Sequence, residues 1–256
     1  MSRGENLLIR SVKKYCTALR FLTVIPVSFG SSEDQSNFHS SVPFFPVVGM
    51  TIGLLAVVLS FTLLLILPQQ VVAFIMIVFL AFICNCLHLD GAADTADGLL
   101  SSRSREKSLA IMKDSRVGAM GASLLIFLVL GKFAALITIP KENLPLTLFF
   151  MPFAGRVALL ITMATASYAR AEGGLGELFY SDASKKYGLF WGVAFVAILF
   201  LCFGFAGLGV SLAVFATLFA LNWRCKVQLG GVTGDVLGAQ CELAELMIAI
   251  SFSAMW

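Results

Sequence analysis

Apolar runs of membrane-crossing length recur along this chain, at residues 42–67, 71–87, 117–139, 144–166 and 187–206, with two short ones at 208–222 and 243–256. A bilayer core about 30 Å thick takes about 20 apolar residues in a helix, and offers no water to unpaired backbone groups, so runs of this kind cross as helices. They set the composition, with 59% hydrophobic residues and 23 Phe and a mean hydropathy of +0.92, far from the balance of a water-soluble domain. The expected fold is all-α, a polytopic integral membrane helical bundle of about seven membrane helices. No fixed-period repeat divides the 256 residues, and a single domain is expected over 1–256.

Residues 1–28 carry Arg10, Lys13, Lys14 and Arg20 among Leu7, Leu8, Ile9, Val12 and Leu19, a basic amphipathic segment suited to lying in the membrane interface. Residues 30–41, GSSEDQSNFHSS, read as a polar loop. The N-terminus lacks a short apolar core followed by a small-residue cleavage site, so no cleaved leader is expected. With the N-terminus in the cytoplasm, all 18 Lys and Arg fall on that side except Lys132, Lys141 and Arg156, the asymmetry of a cytoplasmic face. Segments 88–116, 167–187 and 223–242 then share that face. A net charge of +3 is too small to argue for nucleic acid as a partner. The six Cys are scattered without disulfide spacing and are expected to stay reduced.

The chemistry begins at His88. Asp90, Asp94 and Asp97 follow an apolar run and stand at about 0°, 40° and −20° around a helix axis, all on one face. Asp90 alone would serve as a helix cap, but three aligned carboxylates repel one another unless a cation holds them together. Oxygen-only ligands select a hard cation, Mg²⁺ or Mn²⁺. Gly91, Ala92, Ala93, Ala96 and Gly98 between them leave room for a large group. Arg103, Arg105, Lys113 and Arg116 come next; guanidinium groups beside a metal site suit phosphate oxygens, while Lys107 reads as topology signal alone. Gly118 and Gly121 open the next span, whose N–H groups suit an anion.

A second constellation runs from Gly230 through Gly231, Thr233, Gly234 and Asp235 to Glu242 and Glu245. It lacks the Lys of a nucleotide P-loop, yet glycine-rich backbone ahead of a helix can cradle a phosphate. Asp235 and Glu242, seven residues apart, share a helical face. Lys132 and Arg156 lie deep within spans, where ionisable groups are costly and usually functional; Arg156 is the better candidate for the site. A zinc site at Cys84, Cys86 and His88 fails, because Cys86 points away from the other two. His88 suits a second-shell hydrogen bond or a proton acceptor.

HLDGAADTADG at 88–98, REKSLAIMKDSRVGAMG at 105–121, YARAEGGLG at 168–176 and GGVTGDVLGAQCELAE at 230–245, with RFLTVIPV and VPFFPVVGMTIG nearer the start, resemble the membrane-bound cobalamin synthase family, the adenosylcobinamide-GDP ribazoletransferases. The chain departs from the usual family pattern at Val24, at Cys84-Asn85-Cys86 and at Val232. The resemblance implies a multi-pass protein of a bacterial inner membrane, in contact with its lipids and with its active-site face in the cytoplasm. It implies an Mg²⁺-dependent phosphotransfer in which a hydroxyl of α-ribazole or its 5′-phosphate attacks adenosylcobinamide-GDP and GMP leaves.

On that basis Asp90, Asp94 and Asp97 are the expected Mg²⁺ ligands and catalytic acids, with His88 or one of them as proton acceptor. Asp235 and Glu242 are expected to hold a second metal or the ribazole hydroxyl. Arg103, Arg105, Lys113, Arg116, Arg156 and Arg170, with Gly230, Gly231, Thr233 and Gly234, are expected at the phosphates. Association into a homo-oligomer is left open. A CDP-alcohol phosphotransferase is the alternative enzyme, but the Ala-Arg expected after its Asp-Gly is missing. An ion-coupled transporter is the alternative from another class, and the broken span at 42–67 has no counterpart in the second half.

Overall fold

The computed structural model describes residues 7–101, 103–170 and 180–256. Among these, regular structure is helical throughout, apart from one isolated parallel bridge between Tyr168 and Val232. The all-α expectation holds.

The first helix, α1 (Leu7–Leu22), turns Ala18, Leu19 and Leu22 into the core and leaves Leu7, Leu8, Ile9 and Val12 exposed, the two-sided character of an interfacial helix. Lys13 Nζ donates to Glu33 Oε1 at 2.6 Å, the Thr17 hydroxyl to Asp34 at 2.7 Å, and the Arg20 guanidinium pairs with both Asp34 oxygens. The polar stretch that follows is therefore more ordered than the loop its composition suggested. After a 3-10 turn at Ser31–Glu33 it forms α2 (Asp34–Ser41), because α1 supplies the cationic partners that its carboxylates need.

The remaining helices are α3 (Phe45–Leu63), α4 (Gln69–Ile83), α5 (Leu87–Leu100), α6 (Arg105–Ile111), α7 (Ala119–Thr138), α8 (Leu144–Thr165), α9 (Asp182–Phe203), α10 (Phe205–Leu229) and α11 (Gly234–Met255). The most enclosed is α8, buried almost throughout and packed against α3, α9 and α11. On its α3 side the backbones touch: a Cβ at Gly49 would lie 2.5 Å from the Pro152 carbonyl oxygen, and one at Gly53 2.6 Å from that of Phe149. Small residues one turn apart allow this approach where lipid offers no hydrophobic drive between helices. On its other sides Phe150 and Phe153 meet Phe195, Phe203 and Phe252.

Among the described residues five helical runs are long and apolar enough to cross a membrane, or six if the bent pair α4 and α5 counts as one span. One of the five, Ser184–Leu229, spans 46 residues but folds back on itself at Gly204, which has φ 58°. The Phe195 and Phe215 rings consequently lie 6.1 Å apart, so α9 and α10 run antiparallel. Two expected boundaries move. The short span at 208–222 is the middle of the longer α10, and the last span starts at Gly234 rather than at 243, because the glycine-rich segment past that point is already helix. All six cysteines are free.

Candidate active site

Between α4 and α5 the chain passes through Cys84, Asn85 and Cys86, and the last two take left-handed φ values of 50° and 54°. The turn sends α5 off at 87° to α4. By itself α5, at 14 residues, is not among the helices long and apolar enough to cross a membrane. It meets α11 backbone to backbone: a Cβ at Gly91 would lie 2.7 Å from the Asp235 carbonyl oxygen, and one at Gly238 3.0 Å from that of His88. The small residues of α5 thus serve helix contact. Ala92 is buried in a cluster with Leu128 and Ala239, and the room expected for a large ligand at these positions is filled by α11, by α7 and, at Gly98, by Met112.

The three aspartates of α5 do not share one environment. Asp90 is exposed and Asp94 half-buried. Burial, then the negative charge of Asp235, Asp90 and Asp97, pushes the Asp94 carboxyl up to about 6. Asp97 points to α7, where Gly118 N–H donates to Oδ2 at 2.7 Å and Gly121 N–H to Oδ1 at 2.9 Å. The anion expected at the start of α7 is therefore Asp97 itself, whose charge suits the positive end of the helix. Side chains at Gly118 or Gly121 would collide with its carboxylate.

Asp235 opens α11. Arg170 Nη2 donates to its Oδ2 at 2.7 Å, and the Thr233 hydroxyl to the same oxygen at 3.2 Å. Thr233 also caps α11 by accepting the Val236 N–H at 3.4 Å. The preceding glycines form a tight turn: Gly230 ends α10 at φ +78°, and Gly231 is pressed onto the Ser167 carbonyl with no space for a Cβ. Val232 N–H donates to Ser167 and Ala169 N–H to Val232, at 2.9 and 2.8 Å, binding the turn to the segment that carries Arg170.

Two cavities adjoin this cluster. One, of about 170 Å³, is lined by His88, Asp90 and Asp235 and by the apolar Phe21, Phe45, Leu159 and Met163. The other, of about 280 Å³, is lined by Arg105, Lys113 and Arg170. Since Asp235 belongs to the first and Arg170 to the second, their 2.7 Å ion pair joins an acidic cavity to a basic one. Arg105 is partly engaged, with Nε on the Leu229 carbonyl at 2.7 Å and Nη2 on that of Ala169 at 2.8 Å. Arg103 is exposed, and Arg116 is exposed and paired with Asp114 at 2.6 Å.

Two other expected residues, Glu242 and Arg156, are not brought to this cluster. Glu242 lies two turns deeper than Asp235, 2.7 Å from Lys132, which also reaches Glu245 at 2.7 Å. Arg156 donates to Glu245 at 2.7 Å and to Cys84 Sγ at 2.7 Å. His88 is buried; burial, then the charges of Arg156 and Lys132, hold its imidazole well below the usual histidine range, hence neutral. Among the described residues no three His, Cys, Asp or Glu side chains form a group that could hold a metal. Residues 171–176 of the YARAEGGLG motif lie outside the described residues. Sequence reasoning passed over Phe21, Phe45, Leu159 and Met163, since an apolar residue within an apolar run carries no distinguishing signal.

The family model described as Cobalamin-5-phosphate synthase matches residues 14–253. A protein of Acetivibrio thermocellus named adenosylcobinamide-GDP ribazoletransferase is 35% identical over 244 residues, covering 95% of this chain and 98% of its own length. Relatives of the same name from Desulfitobacterium hafniense and Klebsiella pneumoniae are 37% and 33% identical, each covering 94% of this chain, and 96% and 99% of their own length respectively. No solved structure matches.

Proposed function

Because the chain belongs to the cobalamin-5-phosphate synthase family, we propose that it joins adenosylcobinamide-GDP to α-ribazole or its 5′-phosphate, releasing GMP. A ribose hydroxyl oxygen of the acceptor bonds to the phosphorus that carries cobinamide. The bond from that phosphorus to the GMP oxygen breaks, and the hydroxyl proton passes to a carboxylate. The products are GMP and adenosylcobalamin or its 5′-phosphate.

The observation that carries this reading is the Arg170–Asp235 pair. Phosphoryl transfer is catalysed mainly by positioning and by neutralising charge on the phosphates, so it needs acids beside the attacking hydroxyl and cations beside the leaving phosphate. Asp90 and Asp235 line one cavity, Arg105, Lys113 and Arg170 the next. In this reading Asp90 or Asp235 takes the proton, and the cations hold the diphosphate.

Asp90, Asp94 and Asp235 supply oxygen donors of the kind Mg²⁺ takes, although they do not converge as a group of three among the described residues; these are the residues that would hold the ion the family resemblance implies. The Asp94 carboxyl is raised first by burial and then by the negative charge of Asp235, Asp90 and Asp97. When bound, the ion supplies charge neutralisation on the diphosphate. Asp97, Glu242 and Arg156 act in support: Asp97 fixes α7 against α5, and the other two hold α11 and α8 in place. The distribution of Lys and Arg supports a cytoplasmic placement of the face that carries them, and the family resemblance supports a bacterial inner membrane.

The test is GMP release from adenosylcobinamide-GDP and α-ribazole by detergent-purified protein, with and without Mg²⁺. Asp94→Asn is expected to lower the rate by about 10²-fold or more while the protein still inserts. Full turnover by that variant would remove Asp94 from the mechanism.

A further inference from the structure

We infer that the cavity lined by Asp90, Asp235 and the Phe21–Phe45 aromatic pair receives the base of the acceptor nucleoside, so that its walls select for a flat apolar heterocycle. The inference rests on the proposed reaction, in which the acceptor is a ribazole, a riboside whose base is a dimethylated benzimidazole.

Size makes the first cut. At about 170 Å³ the cavity is smaller than the about 300–1,000 Å³ that encloses a drug-sized ligand, so a corrin ring is excluded and a bicyclic base is not. Wall chemistry makes the second. The Phe21 and Phe45 rings are stacked at 20°, 6.1 Å apart, and Leu159, Met163 and Leu237 complete an apolar, buried lining. A methylated benzimidazole buries apolar surface against such walls, with stacking and thioether contacts in addition. Guanine, the base of the donor, carries less apolar surface and gains less from these walls.

Position makes the third. The polar members of this lining are His88 and the two carboxylates, and Asp235 touches Arg170 of the basic cavity. A base seated among the apolar members keeps its ribose beside the acids and next to the phosphate side.

The experiment narrows and widens the cavity separately. Leu159→Phe narrows it and is expected to raise the KM for α-ribazole by about tenfold or more, with the KM for adenosylcobinamide-GDP within twofold of wild type. It is also expected to shift preference towards the benzimidazole riboside that lacks the methyl groups. Met163→Ala widens it and is expected to gain a diethylbenzimidazole riboside as acceptor, which serves if Leu159→Phe does not fold. Unchanged acceptor preference in a folded variant, or a rise in KM for the donor instead, would overturn the assignment. Absence of GMP release by the wild-type protein would instead sink the proposed reaction.

Discussion

The Lys132 ammonium lies 2.7 Å from Glu242 and 2.7 Å from Glu245, bridging α7 to α11 inside the bundle. With Arg156 on Glu245 at 2.7 Å, two cations and two carboxylates neutralise one another away from water. Removing one member strands a charge in the interior, at a cost of about 3–5 kcal/mol. Lys132→Met is therefore expected to lower thermal stability in detergent sharply. Lys132→Met combined with Glu242→Leu is expected to recover most of the loss, because the second change removes the stranded charge. A double-mutant cycle measures this coupling, and strictly additive losses would deny it.

Asp97 receives two N–H groups from the first turn of α7. Asp97→Asn keeps the shape but loses the charge at the positive helix end, a loss of about 1–2 kcal/mol in a partly buried geometry. Gly121→Ala places a methyl into the carboxylate and is expected to cost more. Hydrogen exchange at the start of α7 should rise in both variants.

Cys86 is a β-substituted residue held at φ 54°, and Asn85 before it at φ 50°. Asn tolerates the left-handed region; Cys is strained there. Cys86→Gly is expected to raise stability by up to about 1 kcal/mol through relief of that strain, offset in part by the greater freedom of glycine in the unfolded chain. Thermal melting in detergent checks the sign.

Burial, with the charge of Asp235, Asp90 and Asp97, pushes the Asp94 carboxyl up to about 6 in the folded protein, against about 3.9 for an unperturbed aspartate. Between those values the folded state holds a proton that the unfolded state has lost, so metal-free stability falls as pH rises through this window. It is fully restored only below the lower value. Thermal melts of metal-free protein from pH 4 to 7 should show this slope, and Asp94→Asn should flatten it.

The crossing helices were legible because each is an apolar run, and the alignment of Asp90, Asp94 and Asp97 because helical geometry is periodic. What escaped was set by partners distant in sequence. Nothing near Asp97 says that its carboxylate will meet main-chain N–H groups 21 and 24 residues on. Nothing near Glu242 points to a lysine 110 residues away. The bend at 84–86 was hidden for another reason: Cys-Asn-Cys lacks the glycine that usually marks positive φ. α2 went unseen because its stabilising cations belong to α1. The Asp235–Arg170 contact was half visible, in that topology brought their segments to one face without indicating that they would pair.

The contact of Gly91 with Asp235 and of Gly238 with His88 is main chain on main chain. The separation between the acid-bearing helices is therefore a fixed gauge. Rotamer changes in the surrounding core leave it unaltered, whereas one methyl group at either glycine would wedge Asp90 and Asp94 away from Asp235 together. These two positions therefore set how closely the acids of α5 approach Asp235.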